Sequence, residues 1–264
     1  MALKHHIDAK IRYDQQVDNS RSYVLPFIEQ TKKIGPGTTV FEVGTAEGGV
    51  LLPFIERGCK CLGVDLDGPR VELAKSYLQE HVNAGKVELV CQNIYDQDFI
   101  NKYQASYDII MLKDVIEHVP EQEKFIDHLR LFLKAGGQIF FGFPPWYMPF
   151  GGHQQLCRTK WASVLPWYHI LPRPLYKFVL KNMAGEHESV VKELLEIKDT
   201  QITIERFERI VKHLGMKVVN KQHYLINPIY KFKFGLQPRK QLAPLTWLPY
   251  LRDFVTTCVY YTIE

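Results

Sequence analysis

The chain has 264 residues, 46% of them apolar, with 33 Lys and Arg against 29 Asp and Glu for a net charge of +4. That is enough apolar material for a real core, and a length that suits one catalytic domain with an embellishment, or one and a half domains. The five cysteines, Cys59, Cys61, Cys91, Cys157 and Cys258, show no metal-ligand spacing, which points to a reduced cytoplasmic setting rather than a disulfide framework.

The sum hides an asymmetry. Residues 1–144 carry 16 Lys and Arg against 20 Asp and Glu, a net of −4, whereas residues 145–264 carry 17 against 9, a net of +8. The C-terminal part therefore favours an acidic or phosphorylated partner, unless its cations are the solvated faces of ordinary helices, as Arg206, Arg209 and Lys212 on one predicted helix suggest. The N-terminus is polar within a few residues, so no signal peptide is read there. The most apolar later stretch, 161–180, contains Pro166, His169, Pro172, Arg173 and Pro174 and cannot be a bilayer-spanning helix.

In chain order, a helical leader runs from His5 to Gln30 within a first segment, 1–37, that ends in a loop containing Gly35, Pro36 and Gly37. Strand and helix then alternate over a second segment, 38–143. Strand 39–43 precedes helix 48–57, strand 60–64 precedes helix 69–81, and strand 87–91 precedes a short helix near Phe99. Strand 107–112 precedes helix 121–133, and Gly136 and Gly137 open strand 138–143. Cys59 and Cys61, two apart around that second strand, share one face and read as small core residues. Five strands alternating with helices imply parallel pairing and an α/β, doubly wound sheet.

The alternation stops at Pro144 and Pro145. Residues 144–200 are rich in aromatics and prolines and read as a cap insertion with helical pieces near 175–182 and 190–196. The last segment, 201–264, completes the sheet. Ile204, Phe207, Ile210, Val211 and Leu214 form one apolar stripe on helix 202–214, strand 216–221 follows, and a long basic and aromatic loop, 224–252, precedes strand 256–263.

Residues 40–50 read Val-Phe-Glu-Val-Gly-Thr-Ala-Glu-Gly-Gly-Val, a buried strand entering a glycine turn. Gly44 and Gly48 let backbone approach a ligand closely. A dinucleotide fingerprint needs its second glycine bare for the pyrophosphate, and Ala46 stands there instead, which a cofactor without phosphates tolerates. Asp65, 21 residues after Gly44, ends the second strand, where a carboxylate can accept from both hydroxyls of a ribose; NAD enzymes do the same. A hydride-transfer reading needs a pair such as Tyr-x-x-x-Lys, and none of the 14 tyrosines has lysine four residues later.

The run from Glu42 to Gly48 resembles the first motif of class I S-adenosylmethionine-dependent methyltransferases, and Asp114-Val-Ile-Glu-His-Val119 resembles the Asp-Val-Leu-Glu-His-Val stretch of many small-molecule members. With Asp65 and the Gly136-Gly137 turn, the likeness covers about residues 38–143 and is closest to the broad bacterial type-11/type-23-like group. It implies a Rossmann-like sheet of seven mostly parallel strands with the last antiparallel, S-adenosylmethionine as cofactor and S-adenosylhomocysteine as product. It also implies cofactor contacts at Glu42, Gly44, Ala46, Gly48, Asp65, Leu66 and Asp114. Where the family places an acid for the adenine amino group this chain has Asn93, whose amide oxygen can still accept, followed by Ile94 for backbone and apolar contact.

The resemblance further implies direct displacement, in which a nucleophile attacks the methyl in line with sulfur while the protein aligns, excludes water and removes a proton. Residues 143–155 leave the fifth strand over the crevice, and two glycines aim His153, a general base with the right unperturbed pKa, unless it and Gln154 merely tie down the cap. Tyr13, Trp146 and Tyr147, with Tyr23, are candidate aromatic walls for the acceptor, or else core packing. Cap aromatics interleaved with cations suit a phosphorylated or sugar-bearing small molecule, or a lipid-linked precursor reached by peripheral membrane contact. RNA ranks last, since no nucleic-acid module or compact basic run is present. No acid cluster or zinc set has metal-site spacing, so no metal is expected. A noncatalytic S-adenosylmethionine-binding or scaffold protein is the alternative from another class, and the acceptor atom and oligomeric state are not written in these residues.

Overall fold

The computed structural model describes residues 8–264; the start of the leader expected from His5, and of the segment 1–37, lies outside the described residues. Five strands, β1 (Thr39–Val43), β2 (Lys60–Asp65), β3 (Val87–Cys91), β4 (Tyr107–Lys113) and β5 (Leu133–Phe143), pair in parallel. With β6 (Val218–Ile226), β7 (Arg239–Lys240) and β8 (Cys258–Ile263) they form one eight-stranded sheet in the order β3-β2-β1-β4-β5-β8-β6-β7. β8 is antiparallel to both of its neighbours, as the resemblance implies for the last strand. The eighth strand, β7, is two residues of the long loop paired with Tyr224 and Ile226, too short to leave a periodic signal in sequence.

Side chains alternate across the sheet as a pleat requires. Ile110, Leu112, Phe141, Val259 and Tyr261 point into a core covered by helices Gln97–Tyr103, Gln122–Leu129 and Ile204–His213. Ile109, Met111, Phe140, Cys258 and Tyr260 point into the opposite core, under the leader and helices Leu52–Glu56 and Gly68–Tyr77. Cys59 and Cys61 are buried there too. The leader is helical over Ala9–Asn19, loosens through a π-turn at Ser20–Val24 and re-forms over Leu25–Ile28; Asp8 caps it by accepting from the Lys10 and Ile11 amides.

Element boundaries shift for local reasons. Gly136 and Gly137 lie inside β5, where the register to β4 slips between Tyr107 and Ile109, so they make a bulge and do not open the strand. The helix expected at 48–57 begins only at Leu52, because Gly48 (φ 81°) is still in the turn and Gly49 is held by Gln16. Residues 144–200 enclose a third core, in which Cys157, Tyr168, Tyr176, Leu180, Val191 and Leu194 meet. Glu186 closes it by accepting from the amides of Arg158 and Thr159, both at 3.0 Å.

Candidate functional site

β1, β2 and β4 deliver their carboxyl ends to one crevice, where such sheets bind ligands. The amides of Gly44 and Thr45 both donate to the Val64 carbonyl, at 2.8 and 3.0 Å. Gly44 has φ 72°, and a Cβ there would come within 2.6 Å of Val115, so the position demands glycine. Ala46 departs from what its methyl suggests: it sits at φ 48°, a left-handed conformation that is strained for alanine. The strain has a local counterpart, since the Ala46 amide donates to Asp65 Oδ2 at 2.8 Å. Asp65 Oδ1 accepts from the Asp67 amide at 3.0 Å, so two backbone groups orient this carboxylate. Next to it Leu66 stands 73% exposed.

Beneath the turn, Glu42 is buried and accepts from the Thr45 hydroxyl at 2.9 Å. Burial, reinforced by the Asp65 charge, pushes its pKa up to about 8 against the opposing Thr45 hydrogen bond. Glu47 is the residue that sequence reasoning passed over. Fully buried, it accepts from Arg12 Nε at 2.8 Å and Nη2 at 2.6 Å, from Gln16 at 3.0 Å and from Arg70 at 3.3 Å. Burial works to raise its pKa, but Arg12 and Arg70 prevail and hold it below the ordinary range. Arg12 and Gln16, one helical turn apart, were the available signal. Through them the leader is fastened to the glycine turn, and Gln16 also accepts from the Gly49 amide at 3.1 Å.

At the end of β3, Asn93 Oδ1 accepts from the Tyr95 amide at 3.0 Å, so one of its lone pairs is already engaged. Ile94 corrects an expectation: its side chain is buried in the core and its carbonyl is bonded by His128 at 2.9 Å, which leaves it no apolar face for a ligand. Asp114, after β4, has φ 57° and accepts from Lys113 at 2.5 Å. Burial opposes its ionisation, but the Lys113 charge prevails and lowers its pKa, aided by Lys233 from helix Ile229–Phe234. Lys233 was another residue missed, because the loop that carries it shows no motif.

Three groups distant in sequence meet beside Asp114. Ligand atoms of Glu117, His118 and His153 all lie within 4.8 Å of one another, and the two imidazole centroids are 5.1 Å apart. Glu117 is 2% exposed, and neither carboxylate oxygen has a hydrogen-bond partner. Burial, with the Asp114 charge, raises its pKa well above the usual range. His153, at φ 56° after the two glycines, sits 4.0 Å from Glu117 with its Nδ1 buried and unpartnered. Its expected pKa near neutrality is corrected by the structure: burial first, then His118, lower it to about 4, so the imidazole is neutral at pH 7. One carboxylate and two imidazoles also make a set that can hold a divalent ion, which spacing could not reveal with 35 residues between Glu117 and His153.

The expected acceptor walls separate. Trp146 is buried, packs edge-on against His169 at 4.7 Å and bonds Ile202 through its amide, so it anchors the cap and does not face a ligand. Gln154 joins that anchor through Pro149 and His169. Tyr13 is likewise buried, 4.7 Å from Tyr77, as a packing residue of the leader. Tyr23 lies at the C-terminal loop, 6.3 Å from Phe232. Tyr147 remains partly exposed, stacked on Phe254 at 5.1 Å.

A family model described as a methyltransferase domain matches residues 13–173. The ubiquinone biosynthesis O-methyltransferase of Coxiella burnetii is 29% identical over 118 residues, 44% of this chain and 47% of that protein. The chain thus spans about half the length of the curated relatives it matches. Among solved structures, a SAM-dependent methyltransferase from Aquifex aeolicus is similar with a TM-score of 0.54 at 12% identity, covering 96% of each chain. Geranyl diphosphate C-methyltransferase from Streptomyces coelicolor, solved with Mg2+, geranyl diphosphate and S-adenosyl-L-homocysteine, is similar with a TM-score of 0.57 at 13% identity, covering 92% of this chain and 79% of that one. At such identities the likeness bears on fold alone, and the fold is the Rossmann-like methyltransferase sheet expected from the sequence.

Proposed function

The chain belongs to the class I S-adenosylmethionine-dependent methyltransferases, and on that premise we propose that it transfers a methyl group from S-adenosylmethionine to a small-molecule acceptor. The observation that carries the reading is Asp65, whose two oxygens are aimed by backbone amides beside a glycine turn and an exposed Leu66. When bound, S-adenosylmethionine supplies a methyl already activated on a positively charged sulfur. The chain then has to bind, align and keep water out.

In this reading the lone pairs of Asp65 not used by Ala46 and Asp67 accept the ribose hydroxyls, and Leu66 covers one face of the adenine. Asn93 offers its amide group and remaining lone pair to the base edge. Gly44, Ala46 and Gly48 bring backbone close, and Glu42 and Asp114 organise the amino-acid end. On the acceptor side, neutral His153 takes the acceptor proton at its unpartnered Nδ1, with Tyr147 at the edge of the pocket. The acceptor is small and anionic or glycosylated, with Lys233 supplying a cation above Asp114. Five free cysteines suit a reducing, cytoplasmic setting. Among the described residues no helix is long and apolar enough to cross a membrane.

Titration calorimetry with S-adenosylmethionine and S-adenosylhomocysteine tests the premise, and binding of neither sinks it. Turnover of methyl-labelled cofactor with a metabolite extract separates an enzyme from a noncatalytic binder. The unpartnered oxygens of Glu117 favour a second reading, in which Glu117, His118 and His153 hold a divalent cation that orients an acceptor oxygen. Calorimetry with Mn2+ or Zn2+ decides it: one site lost in Glu117→Gln supports the ion, and no heat at all removes it.

A further inference from the structure

We propose that the cap and the long C-terminal loop together form a docking surface for an anionic lipid bilayer. Residues 144–185 contain five Lys or Arg and residues 224–251 contain four, and neither stretch contains an Asp or Glu. The same stretches hold most of the apolar surface. Of the 21 exposed large hydrophobic residues among the described residues, 16 fall within these two stretches, with Trp247 76% exposed and Leu242, Leu251, Met183 and Val164 all at 60% or more. Scattered singly such residues need no explanation; gathered on two acid-free stretches they mark an interaction surface.

The cap meets the chain just past the second stretch. Tyr147 stacks on Phe254 at 5.1 Å with its ring 16° from parallel, and Trp167 Nε1 donates to the Tyr147 carbonyl at 3.1 Å. Trp167 and Phe254 both keep more than a third of their surface in solvent. This junction lies in the same loop as His153, so the surface borders the acceptor side of the site.

Charge decides among occupants. A second copy of this chain would set cations against cations, since neither stretch has an acid to answer them. A free small anion would leave the apolar side chains in water. An anionic bilayer satisfies both: Lys and Arg meet the headgroup phosphates, Trp and Tyr sit at the interface, and Leu, Val and Met reach the acyl boundary. Arg173 and Lys181 already have partners in Asp199 and Glu188, so Lys160 and Lys177 are the cations to test. That docking presents the acceptor side to lipid rests on the methyl-transfer reading; docking itself does not.

The test is co-sedimentation of the full chain with phosphatidylcholine vesicles, with and without about 30% phosphatidylglycerol, at about 0.05 M and about 0.5 M salt. Anionic vesicles are expected to bind about ten-fold or more tightly than neutral ones and to release the protein in high salt. Trp247→Ser with Leu251→Ser should weaken partitioning by about ten-fold or more. Lys160→Glu with Lys177→Glu should remove the preference for anionic lipid. Both variants should keep the wild-type circular dichroism; if the first misfolds, the second still decides. No association with anionic vesicles at low salt overturns the proposal, as does equal binding to neutral ones. A dimer in sedimentation velocity that Trp247→Ser dissolves, without vesicle binding, assigns the surface to a second copy instead. Because no step needs turnover, failure here leaves methyl transfer standing, and failure of cofactor binding leaves docking standing.

Discussion

The glycine turn and the edge of the cap each bury a glutamate and treat it in opposite ways. Glu47, under the turn, is charged and receives hydrogen bonds from Arg12, Gln16 and Arg70. Glu117, under the cap edge, receives none, and burial, with the Asp114 charge, raises its pKa well above the usual range. A buried polar group without a partner costs more than the mean hydrogen bond returns, so a protein that leaves one there gains from a ligand that supplies the partner. The donor side is finished by the protein itself. The Glu117 side, where the proposed reading seats the acceptor, is left open.

The strongest way to break that contrast is to remove His153, the base proposed above. In His153→Ala, turnover should fall by about 10²- to 10⁴-fold while S-adenosylhomocysteine affinity by calorimetry stays unchanged. Unchanged turnover would show that the unpartnered nitrogen has no chemical role. Next in size, Glu47→Ala should lower the unfolding free energy by about 3 kcal/mol in urea, because it removes the buried carboxylate that Arg12, Gln16 and Arg70 bond. Glu117→Gln, by contrast, should leave stability within about 1 kcal/mol of wild type. Equal losses at the two positions would erase the distinction between a completed and an open side. Asp65→Ala should then weaken S-adenosylmethionine binding by about ten-fold or more, through loss of charged hydrogen bonds.

The smallest effect is a slope against pH. Glu42 has its folded pKa raised from 4.5 to about 8, so between those values the unfolded chain sheds a proton that the folded one keeps. The stability this proton confers is whole below pH 4.5, declines as pH rises and is gone above about pH 8. Glu42→Gln should therefore melt higher than wild type by a margin that widens from pH 5 to pH 9. A constant margin would mean that Glu42 is charged and compensated.

How much of this was legible in sequence follows the same division. The sheet, the glycine turn and Asp65 are local patterns, written within strands and the turns that end them, and the first five strands emerged in order. Bounds moved where glycine chose between turn, bulge and helix, as at Gly48 and Gly136. Hidden instead were partnerships across the chain: Arg12 with Glu47, 35 residues apart, and His153 with Glu117. Nor could periodicity tell an aromatic that walls a pocket from one that anchors a cap, which is how Trp146 and Tyr13 came to be expected at the ligand.

The leader has one more consequence. Helix Ala9–Asn19 grips the glycine turn through Arg12 and Gln16, while its Gln15 bonds the Phe232 carbonyl at 3.4 Å and Tyr23 packs on the Phe232 ring. A stretch near residue 12 and another near residue 232 thus form a single strap across the donor side. If the glycine turn holds the cofactor as proposed, exchange of that cofactor would work against contacts made by residues near 12 and near 232.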